Sequence, residues 1–188
     1  MSDAPRKLPG NLETNRRLAQ WLRINRDGTV TVFTGKVEIG QGILTAITQV
    51  VADELDVSPQ RIRLQAADTA HGPNEGITSG SRSIEESAVA LRYACAEARE
   101  LLLQRGAAKL GVSLEKVAVA DGVVSGGGSA VTYWELADER MLEREATAQA
   151  APKPAGEHKH IGAAVPRIDL PAKITGVAAY VQDMDLPG

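Results

Sequence analysis

A single cysteine, Cys95, is the entire thiol supply of the 188 residues. That excludes an internal disulfide framework, and it excludes an iron–sulfur cluster or cysteine-rich zinc site held by this chain alone. Aromatic residues are scarce as well. One Phe, two Trp and three Tyr are too few to build a base-stacking platform. Positive charge is not in excess, because 21 Lys+Arg stand against 24 Asp+Glu for a formal net charge of −3. Nucleic-acid binding needs a basic footprint, so no nucleic-acid partner is expected. No apolar run approaches the roughly 20 residues of a membrane helix, so direct membrane insertion is not expected either. The polar stretch from Met1 to Gln20 carries Arg16 and Arg17 with no apolar segment behind them, whereas a secretory peptide requires one. The arginine pair reads as a solvated face, and the expected location is cytoplasmic unless a partner carries an export signal. What remains, 43% hydrophobic and 24% charged with no visible repeat, is ordinary globular composition for one domain and a tail.

Two prolines and Gly10-Asn11 make residues 1–20 an irregular arm. Asp27-Gly28 then supplies a tight turn between alternating arms, Leu22 and Ile24 on one side, Val30 and Val32 on the other, which predicts a β-hairpin. Ile43, Ile47, Val50, Val51 and Leu55 form the stripe of an amphipathic helix. That helix should stop near Asp56, ahead of Ser58-Pro59. Arg61 to Ala66 alternates and reads as a strand with one wet face. Ile84, Ala88, Leu91, Cys95, Ala98 and Leu102 mark a second, longer helix. Ser83 and Glu86 at its start have capping-box spacing, and Gly111 at its end suits a left-handed cap. A further hairpin is expected around Asp121-Gly122, a flexible linker over Ser125 to Ser129, and a short helix opened by the capping box of Thr132 and Glu135. Thr147 to His160 reads as an exposed connector, and the last stretch, punctuated by Pro166, Pro171 and Pro187, as an extended strap. The order predicts an α/β fold, a two-layer domain of mixed sheet with two main helices over 21–145, flanked by the arm at 1–20 and the linker and strap at 146–188.

Two glycine- and serine-rich segments each feed a helix start. The first amides of a helix lack internal partners and favour anions above them. In Gly40-Gln41-Gly42 the glycines allow close approach and the glutamine offers two donors and an acceptor; a plain turn into a helix explains the same residues. Thr78-Ser79-Gly80-Ser81-Arg82-Ser83 combines hydroxyls with an arginine able to grip phosphate by two prongs; capping plus a surface arginine is the simpler account. Asp53, Glu54, Asp68, Glu75, Glu85 and Glu86 read as solvated helix faces, with no defensible acid–base pair. His158 and His160 read as solvent-facing, and Cys95 as a small core residue. No metal ligand set and no catalytic residue is apparent.

Gly35-Lys36-Val37-Glu38-Ile39-Gly40-Gln41-Gly42, then Val51 to Leu55, Ala67-Asp68-Thr69 and Gly80-Ser81-Arg82-Ser83, in that order, resemble the molybdenum-cofactor-binding subunit of the xanthine dehydrogenase family. The similarity is to the branch of isoquinoline 1-oxidoreductase and nicotinate dehydrogenase large subunits. Asp121-Gly122-Val123, Thr132 to Ala137, Val165 to Asp169, Lys173 to Gly176 and Tyr180 to Gly188 extend it from about residue 9. The resemblance implies part of a molybdopterin-binding domain. It implies that Gly40, Gln41 and Gly42 contact the pterin and dithiolene of molybdopterin. Thr78, Ser79, Gly80, Ser81, Arg82 and Ser83 would hold its pterin and phosphates, and the cytosine dinucleotide where the cofactor takes that form.

The implied reaction is hydroxylation of an N-heterocycle or aldehyde with oxygen from water. Electrons would leave molybdenum through iron–sulfur clusters on a small partner subunit. The family's catalytic glutamate has no counterpart up to Leu186-Pro187-Gly188. A larger molybdenum-subunit chain would then carry the rest of the site, and this chain would be a split subunit or a fragment. The alternative is a non-catalytic module that binds the pterin cofactor or a nucleotide during assembly.

Overall fold

The computed structural model describes residues 7–177 and Asp183. Residues 1–6 of the arm, and the stretch Tyr180 to Gly188 apart from Asp183, lie outside the described residues. Two three-stranded sheets and two main helices make up an α/β domain. β1 (Leu22–Ile24) and β2 (Val30–Thr34) form the expected hairpin, with Leu22 opposite Val32 and Ile24 opposite Val30. All five β2 residues are buried, so Thr31 and Phe33 are covered as well as the valines. α1 (Ile43–Leu55) carries the chain over to β3 (Ile62–Ala66), which lies parallel to β2. Asp56, in a left-handed conformation, ends α1. β3 alternates half-buried and exposed residues as its sequence requires.

α2 (Val89–Leu110) is capped by Gly111 at φ 67°. Its start differs from expectation. Ile84–Ala88 is a π-turn, in which the Val89 amide bonds the Ile84 carbonyl. The extra residue per turn swings Ile84 off the apolar stripe, and it is 51% exposed. Ser83 is itself helical and makes no capping bond. Instead the Glu86 amide donates to the Arg82 carbonyl, and the Glu86 carboxylate turns towards Lys36.

β4 (Ala118–Ala120) and β5 (Val123–Gly126) form the second hairpin. The expected glycine linker is instead the turn of a third hairpin, to β6 (Ser129–Thr132). Gly127 and Gly128 both have positive φ, 59° and 81°, which is what a primed two-residue turn demands. α3 (Tyr133–Leu136) opens on the Thr132 capping box, with the Glu135 amide on Thr132 Oγ1 at 3.3 Å and the Thr132 amide on the Glu135 carboxylate at 2.8 Å. α4 (Leu170–Ile174) interrupts the expected extended strap.

One core joins these parts. α1 packs on α2, and α2 on β5 and β6. Leu8, Leu12 and Leu18 of the irregular arm are buried in it, so the arm is part of the core rather than an appendage. Burial raises the pKa of the Cys95 thiol, and the nearby Glu54 charge raises it further.

The connector is a second correction. Ala148, Ala150 and Lys153 are buried, because carboxylates face inward, among them Asp53 and Glu54, which read as solvated. The Glu97 carboxylate accepts from the Thr147 and Ala148 amides, and that of Glu54 from the Lys153 amide at 3.0 Å. That of Asp53 accepts from Lys159, His160 and Ile161. Asp53, Glu54 and Glu75 are buried, while Asp68 and Glu85 are exposed as expected. His158 also departs from its solvent-facing reading: its ring Nε2 is buried with no hydrogen-bond partner among the described residues. No helix among the described residues is long and apolar enough to cross a membrane.

Candidate functional site

β2 and β3 are parallel, so the loops that leave their C-terminal ends emerge on one side of the sheet, where open α/β sheets take ligands. The first loop, 35–42, carries Gly40-Gln41-Gly42; the second, from 67 to 83, carries Thr78 to Ser83. The two touch. The Val37 amide donates to Thr78 Oγ1 at 2.9 Å. The Lys36 ammonium donates to the Glu75 carbonyl at 3.0 Å and to the Glu86 carboxylate at 2.9 Å. Gly35 has no room for a side chain, since a Cβ there would lie 2.7 Å from the Pro73 carbonyl oxygen.

The first loop does not offer its amides outward as its sequence suggested. Glu38 folds over the start of α1, where Oε1 accepts from the Gly40 and Gly42 amides, both at 2.9 Å, and Oε2 from Leu44 at 3.3 Å. An acidic side chain of the chain itself thus sits where an external anion was expected. Burial raises the Glu38 carboxyl pKa, but the amides of Gly42, Leu44 and Gly40 together bring it below the usual carboxylate range. Gln41 is exposed but bonded to its own loop, with Oε1 accepting from the Ile39 amide and Nε2 donating to the Val37 carbonyl. What the loop shows to solvent is Val37 and Ile39, 41% and 71% exposed, together with Gln41 and open space above Gly40.

The second loop is different. Ser79, Gly80, Ser81 and Arg82 are exposed, and Ser83 is half-buried. Gly76, Gly80 and Ser81 have positive φ. Arg82 reaches Glu86 at 2.7 Å yet its side chain stays 60% exposed. Glu86 is bonded by Lys36 and paired with Arg82, and both cations hold its carboxyl below the usual range. This edge fits an anionic group through Arg82 and four hydroxyls, those of Thr78, Ser79, Ser81 and Ser83; the first edge fits a neutral, flat one. Among the described residues no group of three or more His, Cys, Asp or Glu is arranged to hold a metal ion.

The strap closes the first loop from behind. Arg167 donates to the Gly40 carbonyl at 2.8 Å, lies 3.5 Å from Glu38, and pairs with Asp169 at 2.7 Å. The Ile168 amide bonds Thr45 Oγ1 on α1. Lys36, Glu38, Glu75 and Arg167 were all missed as site residues. The one local clue was Glu38, an acid just ahead of a helix start.

Three carboxylates hold this strap, and all have lowered pKa values. Burial raises Asp53, but the Ile161, Lys159 and His160 amides outweigh it. Asp169 is lowered by Arg167 and Lys173, and Glu38 as described above. A lowered folded-state pKa contributes stability above the ordinary value and loses it as pH falls below. Strap docking is therefore expected to be complete at neutral pH and to weaken below about pH 4, the ordinary carboxylate value. Hydrogen-exchange protection at Lys159, His160 and Ile161, corrected for intrinsic rate, should drop between pH 6 and pH 3. Equal protection at both would contradict it.

A family model described as the molybdopterin cofactor-binding domain matches residues 7–166. A nicotinate dehydrogenase component from Pseudomonas putida is 38% identical over 173 residues, which is 92% of this chain and 15% of that protein. The beta chain of isoquinoline 1-oxidoreductase from Brevundimonas diminuta is 31% identical over 89% of this chain and 27% of its own length. This chain therefore spans about a quarter or less of these relatives. Among solved structures, CO dehydrogenase from Oligotropha carboxidovorans superposes with a TM-score of 0.55 at 25% identity, over 61% of this chain and 15% of that one. Quinoline 2-oxidoreductase from Pseudomonas putida 86 gives 0.50 at 27% identity over the same shares. The chain belongs to the molybdopterin cofactor-binding domain family, within the molybdenum-binding subunits of the xanthine dehydrogenase group.

Proposed function

We propose that this chain is the cofactor-holding part of a molybdenum hydroxylase acting on an N-heterocycle or an aldehyde. The cofactor would be molybdopterin, in its cytosine dinucleotide form. When bound, that group supplies oxygen transfer from water and a two-electron sink. In this reading Arg82, Thr78, Ser79, Ser81 and Ser83, with the Gly80 backbone, bind the phosphates and pterin. Gly40, Gln41 and Gly42 lie against the neutral face of the ring system, with the Glu38 carboxylate kept behind the loop by its amide bonds. Val37 and Ile39 exclude water beside it. A larger molybdenum-subunit chain completes the pocket for the small-molecule substrate, and an iron–sulfur subunit takes the electrons.

The observation that carries this reading is the Val37–Thr78 hydrogen bond, which joins the neutral edge to the cationic one inside a domain of this family. Metal analysis of the purified native assembly, with release of cytidine monophosphate on acid hydrolysis, tests it. Molybdenum and a pterin together are expected; an assembly holding neither overturns the proposal. At the residue level, Gln41→Ala should lower retained pterin about two- to tenfold, the worth of one or two hydrogen bonds. His158→Ala should leave it unchanged. Equal, negligible effects would reduce the first loop to a plain turn.

A further inference from the structure

We infer that Lys36 and Glu75 form a buried positioning hub that fixes the spacing between the two loops; this rests on the cofactor reading above. Lys36 is 1% exposed. An ammonium has three donors, and here they face the Glu75 carbonyl, the Ile77 carbonyl at 3.5 Å and the Glu86 carboxylate. Every one of these acceptors belongs to the second loop or to the helix turn it feeds. Glu75 works in the opposite direction. Its Oε2 accepts from Thr34 Oγ1 and the Gly35 amide, both at 2.8 Å, and from Ser87 Oγ at 2.9 Å. A lysine at the root of the first loop thus grips the second, and a glutamate in the second grips the root of the first.

Burying such groups is costly unless they are paired, and apolar residues of like volume often serve stability equally well or better. A purely space-filling need would not call for a lysine with three fixed acceptors. What the two side chains supply, each bonded across to the other loop, is direction: they hold two backbones at one separation, with Gly35 permitting the close approach. Glu86 is shared, one oxygen towards Lys36 and the other towards Arg82. Lys36 therefore also sets how strongly Arg82 is held back from an external anion.

The test uses the native full-length assembly. Lys36→Met should raise amide exchange across 76–81 and at Val37 at least about tenfold, leaving the middle of α2 unchanged, because only local opening is released. It should also cut pterin per chain at least about fivefold, the worth of roughly one lost hydrogen bond. Leu102→Ala, a core truncation on α2, should lower the melting temperature yet keep its pterin. If Lys36→Met fails to fold, Gly35→Ala takes its place and should show the same loop-confined rise. Unchanged loop exchange, or pterin loss in Lys36→Met no greater than in Leu102→Ala, overturns the hub. Absence of pterin from the wild-type assembly would sink the cofactor reading instead, while the exchange measurement still decides whether the hub exists.

Discussion

Replacing Glu54 by Ala is expected to remove about 3–5 kcal/mol of stability, the usual cost of deleting one member of a buried ion pair. Its side chain is fully buried, with Arg92 Nε at 3.1 Å, the Lys153 amide at 3.0 Å and Arg99 at 3.9 Å. Truncation strands the buried Lys153 amide and takes the carboxylate from two guanidiniums, which keep only backbone carbonyls, that of Lys153 for Arg92 and those of Glu54 and Ala151 for Arg99. Against a total of roughly 5–15 kcal/mol for a domain, that is a large share. Urea unfolding of the variant should show it as a fall in the midpoint. Glu54→Gln should lose less, since an amide oxygen still accepts from Lys153. A loss under about 1 kcal/mol for Glu54→Ala, the worth of a single ordinary hydrogen bond, would mean that the network is not the anchor described.

The second large effect is expected at Gly10. Its φ is 53°, and a Cβ built there would overlap the Glu86 carbonyl oxygen in the first turn of the second helix, with the Glu86 carbonyl carbon at 3.2 Å. Gly10→Val adds left-handed strain in a branched residue, about 1–3 kcal/mol, to an overpacking cost of similar size. A total near 3 kcal/mol should lower the melting temperature by about 6–12 °C for a domain of this size. Because the obstruction is backbone, no side chain can swing aside to relieve it. The arm should lift, and Trp21, whose indole now bonds the Asn15 carbonyl at 2.7 Å, should shift its fluorescence towards the red. An unchanged melting temperature would show that the arm does not seat on that turn.

Much of the architecture was legible because its causes are local. Asp27-Gly28, the α1 stripe, Gly111 and the Thr132–Glu135 box each act within a few residues, and each formed as read. Ser125 to Ser129 was misread as a linker because composition alone does not separate a flexible run from a tight turn; Val124 opposite Val131 settles the register. Ser83 and Glu86 had the right spacing but the wrong outcome, since Lys36, fifty positions upstream, draws the glutamate away. The connector failed for the same reason. Nothing near residue 159 announces that Asp53 will take its amide. The candidate loops were visible as glycine and hydroxyl clusters. Their mutual contact depends on the pairing of β2 with β3, which no local pattern announces, whereas the folding of Glu38 onto its own helix spans two to six residues and was a local signal passed over.

The Arg167 contact with Gly40 gives the molecule a mechanical property. The guanidinium is planar and rigid, and its other prong is held by Asp169. Displacement of the strap is then transmitted to the Gly40 peptide with little slack, much as a bell-pull moves a distant clapper. A neighbour that tugs on residues 165–170 would tilt the first loop without ever touching it.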